Sequence, residues 1–143
     1  MNWRFAISIA VMFVMLFASG WLVHDGLLKA DYDRIRPLLR PMEETRGKIL
    51  YVFLAQLSAA AAFSWIYLRG VEAKGWIVQG VRYGIAVALL TTVPINFVQY
   101  AAMPLPLDFM LKRMSCDVIV VIAMGVVLAW INRAHPANQG TVR

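Results

Sequence analysis

The sequence predicts an all-α polytopic membrane protein, with four transmembrane helices in a compact bundle. Three observations carry that expectation. Apolar residues gather in four long blocks with few or no charges. The composition is 61% hydrophobic and 15% charged, whereas a soluble domain carries roughly 25% charged residues. Tryptophan and tyrosine sit at the block edges, where rings with an apolar face and a polar handle favour the membrane interface. The mean hydropathy of +0.65 agrees. At 143 residues the chain fits one domain, taken as 1–143.

The first block, 5–23, follows Arg4 and reads FAISIAVMFVMLFASGWLV without a charge. As a helix it covers about 28 Å, close to the hydrocarbon thickness. A signal peptide shares the positive start. The length of the apolar stretch, and Trp21, Leu22 and Val23 after the small residues Ala18, Ser19 and Gly20, favour a retained helix. The second block, 49–68, lies between Lys48 and Arg69. The third, 77–100, holds Arg82 near one end, where a long side chain can snorkel. Pro94 removes a backbone donor and predicts a kink there. The fourth is expected over 115–132, because its uncharged core, Val118 to Asn132, is short and Asp117 borders it. A half-inserted helix is the alternative. Between the third and fourth blocks the sequence suggests a Pro-rich connection from Ala101 to Asp117. The loop 24–48 suits either a short amphipathic surface helix or an ordinary solvated loop, with Pro37 and Pro41 limiting any helix. Residues 134–143 are expected to form a loose tail.

Four spans put both termini on one side. Lys and Arg number six on that side and eight on the other, so the raw positive-inside count does not favour cytoplasmic termini. Arg4 directly before the first span, and the short turn bearing Arg69, Lys74 and Arg82, favour them instead. The expected location is a bacterial inner membrane with cytoplasmic termini.

Lipid tails compete with apolar side chains, so close backbone approach and interhelical hydrogen bonds must join the helices. Gly80, Gly84 and Ala88 form one small-residue ridge, Ala59 with its small neighbours a second, and Gly125 with Ala129 a third. Such ridges serve a bundle or a homo-oligomer equally well. Gln56, Thr92, Asn96 and Gln99 are expected either to fix the bundle by mutual hydrogen bonds or to line a polar path or pocket. His24, Asp25 and Asp117 are expected either to be interfacial polar groups, with Asp117 ion-paired at the surface, or to form a boundary site for proton movement, a cation or a headgroup.

The formal charge is +6, but the basic residues lie between apolar blocks and match no nucleic-acid-binding pattern. Cys116 is the only cysteine, so no intrachain disulfide forms and no metal or cofactor is implied. HExxH, GxxxxGK[ST], GxSxG and CxxC are absent, which makes an enzyme the less favoured class. The expected function is an oligomeric or accessory membrane component, partnered by lipids, by copies of itself or by other membrane proteins. A small oligomeric transporter or channel, for a solute or a lipid, is the alternative.

Overall fold

A computed structural model describes residues 3–72 and 75–133 of the chain. The tail expected over 134–143 lies outside the described residues. Among them are four helices long and apolar enough to cross a membrane: Trp3–Leu27, Ile49–Arg69, Trp76–Ala102 and Leu107–Asn132. They pack together, and the fold is all-α. Large side chains such as Leu54, Leu89, Leu90, Val98 and Ile119 stay exposed on the outer faces. In water such surface would drive association, but against lipid tails it is the expected exterior.

The first span is α-helical to Gly20 and then winds as a π-helix over Trp21–Leu27. The wider turn shifts which residues face inward, and Val23 is buried there. The second span stops at Gly70, whose N–H bonds the carbonyls of Ile66 and Tyr67. The third span changes its winding ahead of Pro94. Proline cannot donate to the carbonyl four residues back, and its ring crowds that carbonyl. The helix responds with a π segment over Ala88–Thr92, directly before the proline. It ends at Ala102, and Met103, preceding Pro104, is extended as that position demands.

The fourth helix starts at Leu107 rather than near 115. The long Pro-rich connection expected over 101–117 is therefore only Met103 to Pro106. Charges that argued against an earlier start all find partners. Asp108 accepts a hydrogen bond from Arg34 at 2.8 Å, Lys112 reaches Asp31 at 3.2 Å, and Arg113 donates to Gln99.

Helix formation prevails in the loop as well. Lys29–Ile35 is α-helical, Arg36–Leu38 is a 3-10 turn, and Met42–Arg46 forms a short helix. Ile35 packs with Leu105 and Phe109, so the loop helix docks onto the start of the fourth span.

Spans three and four meet backbone to backbone. A Cβ added at Gly84 would lie 2.6 Å from Ile122 Cα, and one at Gly80 would lie 2.8 Å from Gly125 O. Gly125 faces Gly80 in return, and Ala88 is buried one turn beyond Gly84. The ridges of Gly80, Gly84 and Gly125 thus interlock within one chain. The half of the bundle nearer the termini is closed by Met12, Ala60, Phe63, Tyr67, Met124, Leu128 and Ala129. Tyr83 donates to the Phe63 carbonyl at 2.5 Å, and Asn132 donates to Ser8 Oγ at 3.0 Å. The second span buries Ala60, Phe63, Ser64 and Tyr67, which leaves Ala59 and its small neighbours Ala55, Ser58 and Ala62 exposed.

Candidate functional site

The nearer-the-loop half of the bundle differs from the closed half. All four spans border a cavity of about 220 Å³. Leu16, Ser19, Gly20, Val23 and His24 come from the first, and Gln56 from the second. Thr92, Ile95 and Asn96 come from the third, with Arg113, Asp117, Val120 and Val121 from the fourth. Counting at 1.5 Å per residue from the loop-side helix ends, Gln56 and Asn96 lie about 10 Å deep, and Asp117 and Thr92 about 15 Å deep. The polar lining therefore reaches about 15 Å in from the loop-side helix ends and stops at the apolar layer of Met12, Phe63 and Met124.

Local geometry places these groups. The π segment and Pro94 lie at the cavity, and Thr92 is the last π residue. Asn96 Nδ2 donates to the Thr92 carbonyl at 2.8 Å, one turn back along the same span. The Asp117 carboxyl lines the same cavity. Arg113 and Asp117 are one helical turn apart, with Nε 3.8 Å from Oδ2. That is too long for a hydrogen bond, and the buried Arg113 Nε has no hydrogen-bond partner. Arg113 instead donates from Nη2 to Gln99 Oε1.

His24 ties the cavity to the loop. Its Nδ1 lies 2.7 Å from the Tyr32 hydroxyl, and the two rings meet edge to face at 5.2 Å. Tyr32 also meets Phe109 edge to face at 5.1 Å. Burial holds the Tyr32 phenol above its ordinary pKa, so it stays protonated and able to donate. Arg34, bonded to Asp108, is held in its charged form. His24 borders a second, larger cavity of about 610 Å³ as well, whose other lining residues run from Asp25 to Thr45.

No family model, curated protein or solved structure matches this chain. The residues must therefore speak for themselves.

Two candidate groups were expected from the sequence, and the structure largely joins them. Gln56, Thr92 and Asn96 share one cavity with His24 and Asp117. Gln99 does not line it but anchors Arg113. Asp25 faces the outer cavity instead. Arg113 and Tyr32 were not singled out from the sequence. The spacing of Arg113 and Asp117, four residues apart on a helix, was an available signal. The approach of Tyr32 to His24 depends on how the loop helix docks, and no local pattern encodes that. Among the described residues, no group of three or more His, Cys, Asp or Glu side chains lies close enough to hold a metal ion. The cavity offers an acid, a guanidinium, an imidazole and two amides. Such a set suits recognition of a small polar or charged group.

Proposed function

We propose that this chain is a small inner-membrane protein that admits a polar solute or headgroup from its loop face into a half-depth pocket, working as a component of an assembly rather than as a self-contained channel. The observation behind this reading is the cavity at Gln56, Thr92, Asn96, Arg113 and Asp117, which ends against a packed apolar layer. Charged and amide groups are costly at this depth, and such groups within spans commonly mark a functional site. Arg113 brings a charged guanidinium to the cavity wall, although its Nε itself is buried without a hydrogen-bond partner. Assembly, with copies of itself or with other membrane proteins, is supported by the exposed small-residue face around Ala59 on the second span. Both termini are assigned to the cytoplasm on the strength of Arg4 and of the turn at Arg69, which puts the pocket mouth on the opposite side. A reporter fused at the C-terminus and active only outside the cytoplasm tests that assignment by staying silent.

The single cysteine makes the pocket testable. In a Cys116→Ser background, Asn96→Cys is exposed to a small charged thiol reagent in proteoliposomes. Labelling from the loop face alone supports the pocket. Absence of labelling from either face refutes it, and labelling from both faces points to a continuous path.

A carrier is the second reading, and one observation favours it. The π segment and Pro94 place a bendable point of the third span at the cavity wall. In that case Asn96→Leu abolishes flux while the folded protein persists. Unchanged flux removes the path.

A further inference from the structure

The outer cavity carries chemistry of its own. It is lined by His24, Asp25, Lys29, Tyr32, Asp33, Arg36, Leu39, Arg40 and Thr45. Lys29, Tyr32 with Asp33, and Arg36 recur every three or four residues, so they form one stripe along the helix Lys29–Ile35 and into the turn after it, while Arg40 follows the extended Leu39 and reaches the same cavity from beyond that turn. The other stripe of the same helix is already used. Asp31 pairs with Lys112, Arg34 with Asp108, and Ile35 is buried against Leu105 and Phe109. One side of the segment is thus clamped to the fourth span while the other holds its cations over an open cavity.

Those cations keep their donors. Arg36 stands 3.8 Å from Asp33, and Arg40 3.9 Å from Glu44. Both separations exceed a hydrogen bond, so the guanidinium N–H groups are not committed to the carboxylates. Lys29, Arg36 and Arg40, set against Asp25 and Asp33, leave one net positive charge among the lining residues, with Glu44 outside the lining beside Arg40. A phosphodiester carries one negative charge and accepts the planar fork of arginine. The cavity lies at the end of the first span and before the second, at the level of lipid headgroups. Leu39 brings an apolar side chain to the lining, and Leu27 at the end of the first span and Ile49 and Leu50 at the start of the second are exposed apolar side chains.

We propose that this outer cavity is a binding site for the phosphodiester headgroup of an anionic phospholipid, held by Lys29, Arg36 and Arg40. Cation clusters at a membrane boundary attract anionic lipid, at about fivefold in affinity per Lys or Arg. Here the clamped helix and the turn that follows it hold Lys29 and Arg36 over one cavity that Arg40 also lines, so the site selects a bound lipid rather than merely gathering charge. The proposal stands apart from the inner pocket and does not depend on it.

The full chain is placed in nanodiscs of phosphatidylglycerol and phosphatidylcholine in equal amounts, and the lipids retained on release are weighed by native mass spectrometry. The expected result is an enrichment of phosphatidylglycerol of about tenfold. Lys29→Gln with Arg36→Gln and Arg40→Gln removes it. Arg69→Gln with Arg133→Gln, at the opposite end, preserves it. Should the triple variant fail to fold, Arg36→Gln with Arg40→Gln changes only exposed side chains and lowers the enrichment in the same direction. Equal retention of both lipids by the unaltered chain overturns the proposal, as does equal loss in the opposite-end variant. Soluble glycerol phosphate is the remaining arm. Its failure to displace the lipid supports a headgroup site, and displacement at low concentration overturns the lipid assignment in favour of a phosphate taken from solution.

Discussion

Gly84→Ala should loosen the bundle although it adds one methyl group. The new Cβ would sit 2.6 Å from Ile122 Cα and 3.0 Å from Val121 O, both backbone atoms that no rotamer change can move aside. Ordinary carbon contacts lie at about 3.5–4.0 Å, so spans three and four must part by about 1 Å. A gap of that size forfeits a quarter to a half of each contact's attraction. At about 0.15 kcal/mol for each of about twenty atom pairs along the seam, the loss is about 1 kcal/mol. Residual overpacking adds a similar amount, for a total of about 2 kcal/mol. Alanine's better helix propensity recovers at most about 1 kcal/mol in water, and less in a bilayer, where the separated helix stays formed. The assay is reversible unfolding in mixed micelles. Gly20→Ala is the matched control, because a Cβ there meets nothing within 4 Å. Gly84→Ala as stable as Gly20→Ala would refute the close-contact account, and Gly84→Leu should destabilise by about 3 kcal/mol.

Two further outcomes are expected. Ser8→Ala removes the acceptor that Asn132 uses between the first and fourth spans. Because Asn132 keeps its bond to the Leu128 carbonyl, the cost should be about 0.6 kcal/mol in the same unfolding measurement, and a loss above about 2 kcal/mol would show that the bond carries more than one span contact. Tyr32→Phe tests the loop-to-core link through pH. The folded phenol has a pKa above its ordinary 10.0, chiefly through burial, so its contribution is fully present below that value and fades as pH rises through the folded value. The stability gap between the unaltered chain and Tyr32→Phe should stay level to about pH 10 and close above it. A gap that closes at lower pH would contradict a buried, protonated Tyr32.

The spans were legible because bilayer thickness imposes a length that an apolar run either meets or fails. Trp76, Gly70 and Pro104 punctuated the second and third spans, so their limits were visible as well. The start of the fourth was not. Asp108, Lys112 and Arg113 look like a solvated approach to the membrane until Arg34, Asp31 and Gln99 are known to meet them, and those partners are far away in sequence. The candidate site was legible in pieces for the same reason. Thr92 and Asn96 share a face by spacing alone. Their meeting with His24 and Asp117 depends on how four helices come together, a tertiary fact that helical periodicity does not contain. The small-residue ridges had the converse fault. Three looked alike in sequence, but Gly80, Gly84 and Gly125 found each other while Ala59 was left facing outward.

The brief connection from Met103 to Pro106 also bears on how the chain enters its membrane. Spans three and four emerge almost back to back, so they can be released into lipid as a hairpin. An arginine or aspartate carried alone into hydrocarbon costs several kcal/mol. On the preceding arm of that hairpin Gln99 accepts from Arg113, and Asn96 lines the cavity that Asp117 also lines. The charges of the last helix thus travel with their own escorts. Made without the third span, the fourth segment would settle further along its apolar core, with Arg113 and Asp117 left at the water boundary.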